Sequence, residues 1–275
     1  MELAQESETP TLDGPVAMQA TLWSEHARDW ADVMEGWNGW GIPLYRHVLE
    51  RLEVTSGTRL LDVGCGAGRF CRMAADRGAR VAGIDATAAF VDIARDRIRG
   101  GDFRVGDMQR LPWPDDCFDV VTGFNSFFIA PDMVAALREA RRVARPGASI
   151  AMTVFGRPQK CQSTTIFRAL GRFSSPPASN GDDGPALHEE GALDDLAARA
   201  GLRPVEAGYV EFVEEYPDLE TMLRGMLAAP PFVRAAQTAG RDAVRAAVAE
   251  AAEWVRGADG RYRVLEEERY LIAVA

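Results

Sequence analysis

An α/β fold on a mainly parallel, doubly wound sheet is the architecture this chain predicts, and three observations predict it. Between residues 59 and 155, short apolar runs of strand length alternate with helical stretches. A strand covered on both faces is apolar at successive positions, and parallel neighbours need a crossover, which a helix supplies. The first run, Leu60-Leu61-Asp62-Val63, turns through Gly64, Gly66 and Gly68 directly into a helical pattern, and the next two runs end in acids, Asp85 and Asp107. Ligands of open α/β sheets bind beyond such strand ends.

The elements follow in order. Residues 1–20 carry Pro10, Gly14 and Pro15 without a sustained period and are expected to be mobile. Ser24 is a candidate N-cap for a helix with Trp30, Val33, Met34 and Trp37 at helical spacing, stopped by Asn38-Gly39. A second helix starts near Pro43 and covers Leu44, Val48, Leu49 and Leu52. Then come a strand at 59–63, a helix at 69–76, a strand at 81–85, a helix at 87–98 and a short strand at 103–105. After the loop 111–116 come a strand at 118–122, a helix at 133–144 and a strand at 149–155. Past Gly156 the rhythm breaks. A short helix at 164–170 leads to a loop at 174–185 rich in Ser, Pro, Gly, Asn and Asp. A helix at 192–200 and a strand near 204–213 follow, then an Ala-rich helical stretch at 217–256. The last strand, 262–274, places Glu267 and Arg269 on one face.

Composition narrows the function. The 275 residues carry a formal charge of −10 and a pI near 4.9, a surface that repels phosphate backbones and disfavours nucleic acid as a partner. The four cysteines, Cys65, Cys71, Cys117 and Cys161, form no CxxC pair, so neither a disulfide frame nor a metal site is expected. The acidic N-terminus lacks a signal-peptide core, and no apolar run approaches the roughly 20 residues of a membrane span. A cytoplasmic protein is the expectation.

The glycine loop exposes bare backbone against which a flat, adenosine-sized ligand can lie. Asp85 is placed to accept two hydrogen bonds from a ribose diol, Asp107 to accept from an adenine amino group, and the Met108 N–H to donate to a ring nitrogen. Met108 or Trp113 would pack on the ring face. Read without a ligand, both acids are helix or turn caps. The spacing G-x-G-x-G differs from the dinucleotide pattern G-x-G-x-x-G, because Arg69 stands where the third glycine belongs, and no P-loop pattern is present.

In combination, LLDVGCGAGRF, VAGIDAT, GDMQRLPWPDDCFDVV and EARRVARPGASIAMTVF make residues 60–155 resemble a class I S-adenosylmethionine-dependent methyltransferase. The resemblance implies a seven-stranded Rossmann-like sheet whose final strand is antiparallel and inserted beside the fifth. It implies S-adenosyl-L-methionine as cofactor, with S-adenosyl-L-homocysteine as product. Gly64, Cys65, Gly66 and Gly68 would line the amino-acid part and ribose, Asp85 and Ala86 the ribose, and Asp107 and Met108 the adenine. Phe124 would contribute backbone near the methionine end, and Asp62 would reach the amino group. Residues 21–275 then form one methyltransferase domain after a flexible 1–20. Within it, 21–55 are a helical lid, 56–156 the cofactor-binding half, 157–213 and 259–275 the remaining sheet and substrate side, and 214–258 a helical insertion.

A sulfonium methyl is already electrophilic, so the protein has to align a nucleophile and exclude water. The family often carries a histidine after the fourth strand, where this chain reads Asn125-Ser126-Phe127-Phe128. That leaves His26 and His188 as candidate bases, with Trp23, Trp30, Asn125 and Phe128 as candidate acceptor contacts. Phe127, Phe167 and Phe212 would line an apolar substrate pocket or belong to the core. The expected reaction is methyl transfer to O, N or C of a small organic molecule, a peptide acceptor remaining open, by a monomer or homodimer. The competing functions are a catalytically silent S-adenosylmethionine-binding protein of the same fold and an NAD-linked Rossmann enzyme.

Overall fold

The computed structural model describes residues 12–36, 39–173 and 186–275. The expectations for residues 1–11, Trp37, Asn38 and the loop 174–185 lie outside the described residues.

Seven strands form one sheet: β1 (Arg59–Val63), β2 (Arg80–Asp85), β3 (Asp102–Val105), β4 (Phe118–Phe124), β5 (Ala144–Phe155), β6 (Arg203–Tyr216) and β7 (Tyr262–Val274). Their order is β3-β2-β1-β4-β5-β7-β6. β1 to β5 are parallel, and β7 runs antiparallel between β5 and β6, as the resemblance implied. The chain winds outward from β1 to β3, then returns to lay β4 on the other side of β1. This reversal opens a crevice at the carboxyl ends of β1 and β4.

Alternating side chains of the strands feed two cores. Leu61, Val63, Ile84, Val121, Ile150 and Met152 pack under α6 (Met133–Val143) and α8 (Ala192–Arg199). Leu60, Val81, Val120, Ala151 and Ile272 pack under α3 (Ile42–Arg51), α4 (Arg69–Ala75) and α5 (Ala88–Arg97). Both faces are covered, which is why these strands are apolar at successive positions.

The N-terminal stretch departs from its expectation. Residues 14–24 are helical (α1, Gly14–Ser24), with Pro15 in the first turn, where its fixed φ and missing N–H are no penalty. Ser24 is therefore the last residue of a helix and not an N-cap; its hydroxyl donates back to Ala20 O at 2.8 Å. A short α2 (Ala27–Asp29) passes into a π-helical turn, Trp30–Met34.

β6 and β7 outrun their neighbours. β7 pairs with β5 from Glu268 onward, whereas residues 262–267 pair with β6 alone. This two-stranded extension projects past the carboxyl end of β5. α7 (Ser163–Arg168), α9 (Leu219–Met226), α10 (Pro230–Ala239) and α11 (Arg241–Ala252) pack a third core on it, containing Ile166, Tyr216, Met222, Phe232, Val248 and Val264. The inserted helices thus stand as a wall on the ligand side of the sheet.

Candidate functional site

The loop after β1 is held open by backbone geometry. Gly64, Gly66 and Gly68 have φ of +73°, +52° and +81°. The N–H groups of Gly64 and Cys65 both donate to Ile84 O, at 2.8 and 2.9 Å, tying the loop to β2. A Cβ on Gly64 would lie 2.4 Å from the Ser126 Cβ. Gly64→Ala is accordingly expected to destabilise the fold by about 1–3 kcal/mol through overpacking and a left-handed backbone. Urea unfolding measures this, and an unchanged midpoint would contradict it.

Asp85 is half-buried at the end of β2. One carboxylate oxygen accepts from Gly66 N at 2.9 Å and the other from Thr87 N at 2.8 Å. Burial pushes its carboxyl up and these two N–H groups pull it back. Each oxygen retains a second lone pair. Asp107 accepts from Gln109 N at 2.8 Å in an Asx turn. The cap reading of both acids therefore describes their bonds within the chain, and their remaining lone pairs are available to a ligand.

Asp62 is 3% exposed and accepts the Thr122 hydroxyl at 2.7 Å. Burial, with help from the charges of Glu35 and Asp85, pushes its carboxyl up to about 8. Asn125 follows β4 with φ of +49°, in the left-handed region that Asn tolerates better than most residues. Its N–H donates to Thr153 and its side-chain amide to Glu268 at 3.1 Å.

Glu35 was not singled out from the sequence. Its carboxylate accepts from Ala67 N at 2.8 Å and Arg69 N at 3.1 Å and pairs with Arg97 at 3.0 Å. It thereby caps α4 from the N-terminal segment. A signal was present: the N-cap of α4 is Gly68, which offers no side-chain oxygen, so the first N–H groups of that helix need an acceptor from elsewhere.

These elements surround one cavity of about 1070 Å3. That is at the upper end of the roughly 300–1,000 Å3 of small-ligand sites, enough for two molecules side by side. Asp62, Gly64, Cys65, Gly66, Asp85, Ala86, Asp107, Met108, Phe124, Asn125, Phe128, Trp23 and Trp30 all border it. Other expected residues are elsewhere. Gly68 stands behind the loop, where a Cβ would meet the Ala94 Cβ at 2.9 Å, so it serves the packing of α4 on α5. His26 sits between Glu25 and Asp29, 3.5 and 3.6 Å away, and neither it nor His188 borders the cavity. Trp113 is buried away from it, its indole donating to Asp102 at 2.9 Å. Phe127 and Phe212 belong to the cores, whereas Phe167 lines the cavity.

Residues 61–152, from β1 to the middle of β5, match the family model described as a methyltransferase domain. Over these residues, about a third of its length, the chain matches a class I S-adenosylmethionine-dependent methyltransferase domain. It is 35% identical over 119 residues to methyltransferase GfsG of Streptomyces halstedii, covering 41% of this chain and 43% of that protein. It is 40% identical over 113 residues to the malonyl-(acyl-carrier protein) O-methyltransferase of Serratia marcescens, covering 39% and 44%. These matches span less than half the length of either relative. The fold also resembles that of a Haemonchus contortus phosphoethanolamine N-methyltransferase 2 solved with S-adenosylhomocysteine, with a TM-score of 0.58 and 16% identity over 96% of this chain and 61% of that one. Among the described residues no helix is long and apolar enough to cross a membrane, and no group of His, Cys, Asp and Glu is arranged to hold a metal ion.

Proposed function

We propose that this chain transfers a methyl group from S-adenosylmethionine to an O, N or C atom of a small organic acceptor. The observation that carries the reading is that one cavity is bordered both by the glycine loop and strand-end acids and by apolar side chains of the N-terminal and inserted helices. When bound, the cofactor supplies a sulfonium methyl, electrophilic without further activation.

The chain's own residues hold and orient. Gly64 and Gly66 present bare backbone. Asp85, braced by two N–H groups, has one lone pair per oxygen for the two hydroxyls of a ribose. Asp107 and Met108 flank the adenine position. Asp62, a buried acid with raised affinity for its proton, suits a cationic amino group. Phe124, with Tyr45 edge-on to it at 4.6 Å and Phe70 tilted against it at 4.3 Å between ring centroids, closes the methionine end against water. The proposed division keeps 21–55 as a lid, extended by α1, with 56–156 holding the cofactor and the later segments the acceptor.

Titration calorimetry with S-adenosylhomocysteine and with NAD tests this directly: the first is expected to bind and the second not. Label transfer from methyl-labelled cofactor onto a metabolite extract then separates an enzyme from a silent binding protein.

Asp62 gives the binding a pH dependence. Its free-site value is near 8. A bound ammonium lowers it, so the complex holds fewer protons than the free protein below that value. Affinity for S-adenosylhomocysteine is therefore expected to rise with pH from 6 to 8, by up to about tenfold per unit, with proton release. Asp62→Asn is expected to flatten the profile; an equally steep profile in that variant would remove Asp62 from the account.

A further inference from the structure

We propose that the wall formed by β6 and β7 is a receptor for a positively charged nitrogen, so that the methyl acceptor is an apolar molecule carrying an amine or ammonium group. The word acceptor rests on the methyltransferase reading; the binding claim stands without it.

Glu214 lies opposite Val264 in the β6–β7 register. Side chains two apart share a face, so Glu214, Glu266 and Glu268 stand together on one side of the sheet. They are 5%, 2% and 0% exposed, and Glu214 and Glu266 border the cavity. Glu266 accepts from the N–H and hydroxyl of Ser163 at 2.8 and 2.9 Å. One oxygen of Glu214 accepts the Tyr216 hydroxyl at 2.6 Å, and one of Glu268 accepts the Asn125 amide. The second oxygens of Glu214 and Glu268, and the Asn125 side-chain oxygen, are buried with no hydrogen-bond partner.

No Arg, Lys or His among the described residues forms an ion pair with these three acids. The opposite face of β7 shows that the chain can do otherwise: Glu267 is clamped by Arg157, and Arg269 faces Asp194 at 3.6 Å. Burying carboxylates without a cation is costly, and the cost is relieved by whatever brings positive charge and donors. Burial and mutual repulsion hold Glu214 up at about 8 and push Glu268 up as well. The same cavity presents Trp30, Trp40 and Phe167, whose faces attract a cation once water is excluded. The two arginines that border it toward the inserted helices, Arg168 and Arg234, are exposed, so water and salt screen them. An anionic acceptor would meet unpaired acids; a cationic one would find the unpartnered oxygens of Glu214 and Asn125, both on cavity-lining residues, and aromatic walls.

The test uses the full chain and two probes of nearly equal shape, 4-phenylbutylamine and 4-phenylbutan-1-ol, by titration calorimetry with and without S-adenosylhomocysteine. The amine is expected to bind at least about tenfold tighter than the alcohol. Glu214→Gln and, separately, Glu266→Gln are expected to erase most of that preference while leaving the alcohol and S-adenosylhomocysteine binding as before. Equal affinity for the two probes, binding of neither, or a preference that survives both substitutions would overturn the proposal. Failure of S-adenosylhomocysteine to bind, with the amine preference intact, would instead overturn the cofactor reading and leave the cation site standing.

Discussion

Glu35→Ala is expected to cost about 3–5 kcal/mol of folding stability, the range for removing one partner of a buried ion pair. Glu35 is 7% exposed, and its carboxylate has three obligations: Ala67 N, Arg69 N and the Arg97 guanidinium. Deletion orphans two N–H groups at the start of α4 and strands a positive charge beside them, where the helix dipole is also positive. Arg97 would keep only its bond to Ala31 O, at 3.1 Å. Glu35→Gln preserves an acceptor but not the charge, and should lose less. Adding Arg97→Ala to Glu35→Ala should recover part of the loss, because the stranded charge goes with it. Urea unfolding of the parent, Glu35→Ala, Arg97→Ala and the double variant measures the cycle, with Glu35→Gln alongside. A Glu35→Ala protein within about 1 kcal/mol of the parent would show that the cap and the pair are dispensable. Since Glu35 links the N-terminal segment to the glycine loop, weaker S-adenosylhomocysteine binding should accompany the stability loss.

Glu35 also marks the boundary of what could be read without coordinates. The parallel half was legible because its strands are continuous apolar runs punctuated by glycine and acid, and each strand pairs with an element that the same pattern announces. The strand-end acids were legible because their position at a strand terminus is a local property. Glu35 acts on residues 32 and 34 positions away, and no local pattern ties them. The same holds for β6, expected to stop at residue 213. The residues Glu214-Glu215-Tyr216 read as a polar exit, yet the strand continues through them because β7 pairs with it as far as Tyr262. Glu215 faces outward to Arg261 and Arg263, while Glu214 is buried, a division made by the helices on one face alone. α1 was missed for the opposite reason. Gly14-Pro15 reads locally as a breaker, and only a following helical turn makes that proline an N-terminal signal. Neither His26 nor His188 borders the cavity; they were singled out by chemical type, with no pattern placing them at a strand end.

Asp85→Ala is expected to weaken S-adenosylhomocysteine binding by at least tenfold, about 1.5–3 kcal/mol for the loss of hydrogen bonds to a charged group. The substitution removes the acceptor for Gly66 N and Thr87 N as well as the proposed ribose contact, so affinity alone does not separate a collapsed loop from a lost ligand bond. A ligand missing the same bond does. Wild-type protein should prefer S-adenosylhomocysteine over its 2′-deoxy analogue by roughly the worth of one such bond, and Asp85→Ala should bind the two alike. Asp85→Asn sharpens the point. The amide has one acceptor oxygen for two backbone N–H groups, and its NH2 would be turned toward either Thr87, Gly66 or the sugar, each of which needs an acceptor there. It should therefore fare little better than alanine despite its matching size. If the 2′-deoxy penalty persists undiminished in Asp85→Ala, the hydroxyl is held by another group, and the acid at the end of β2 is a brace for the glycine loop alone.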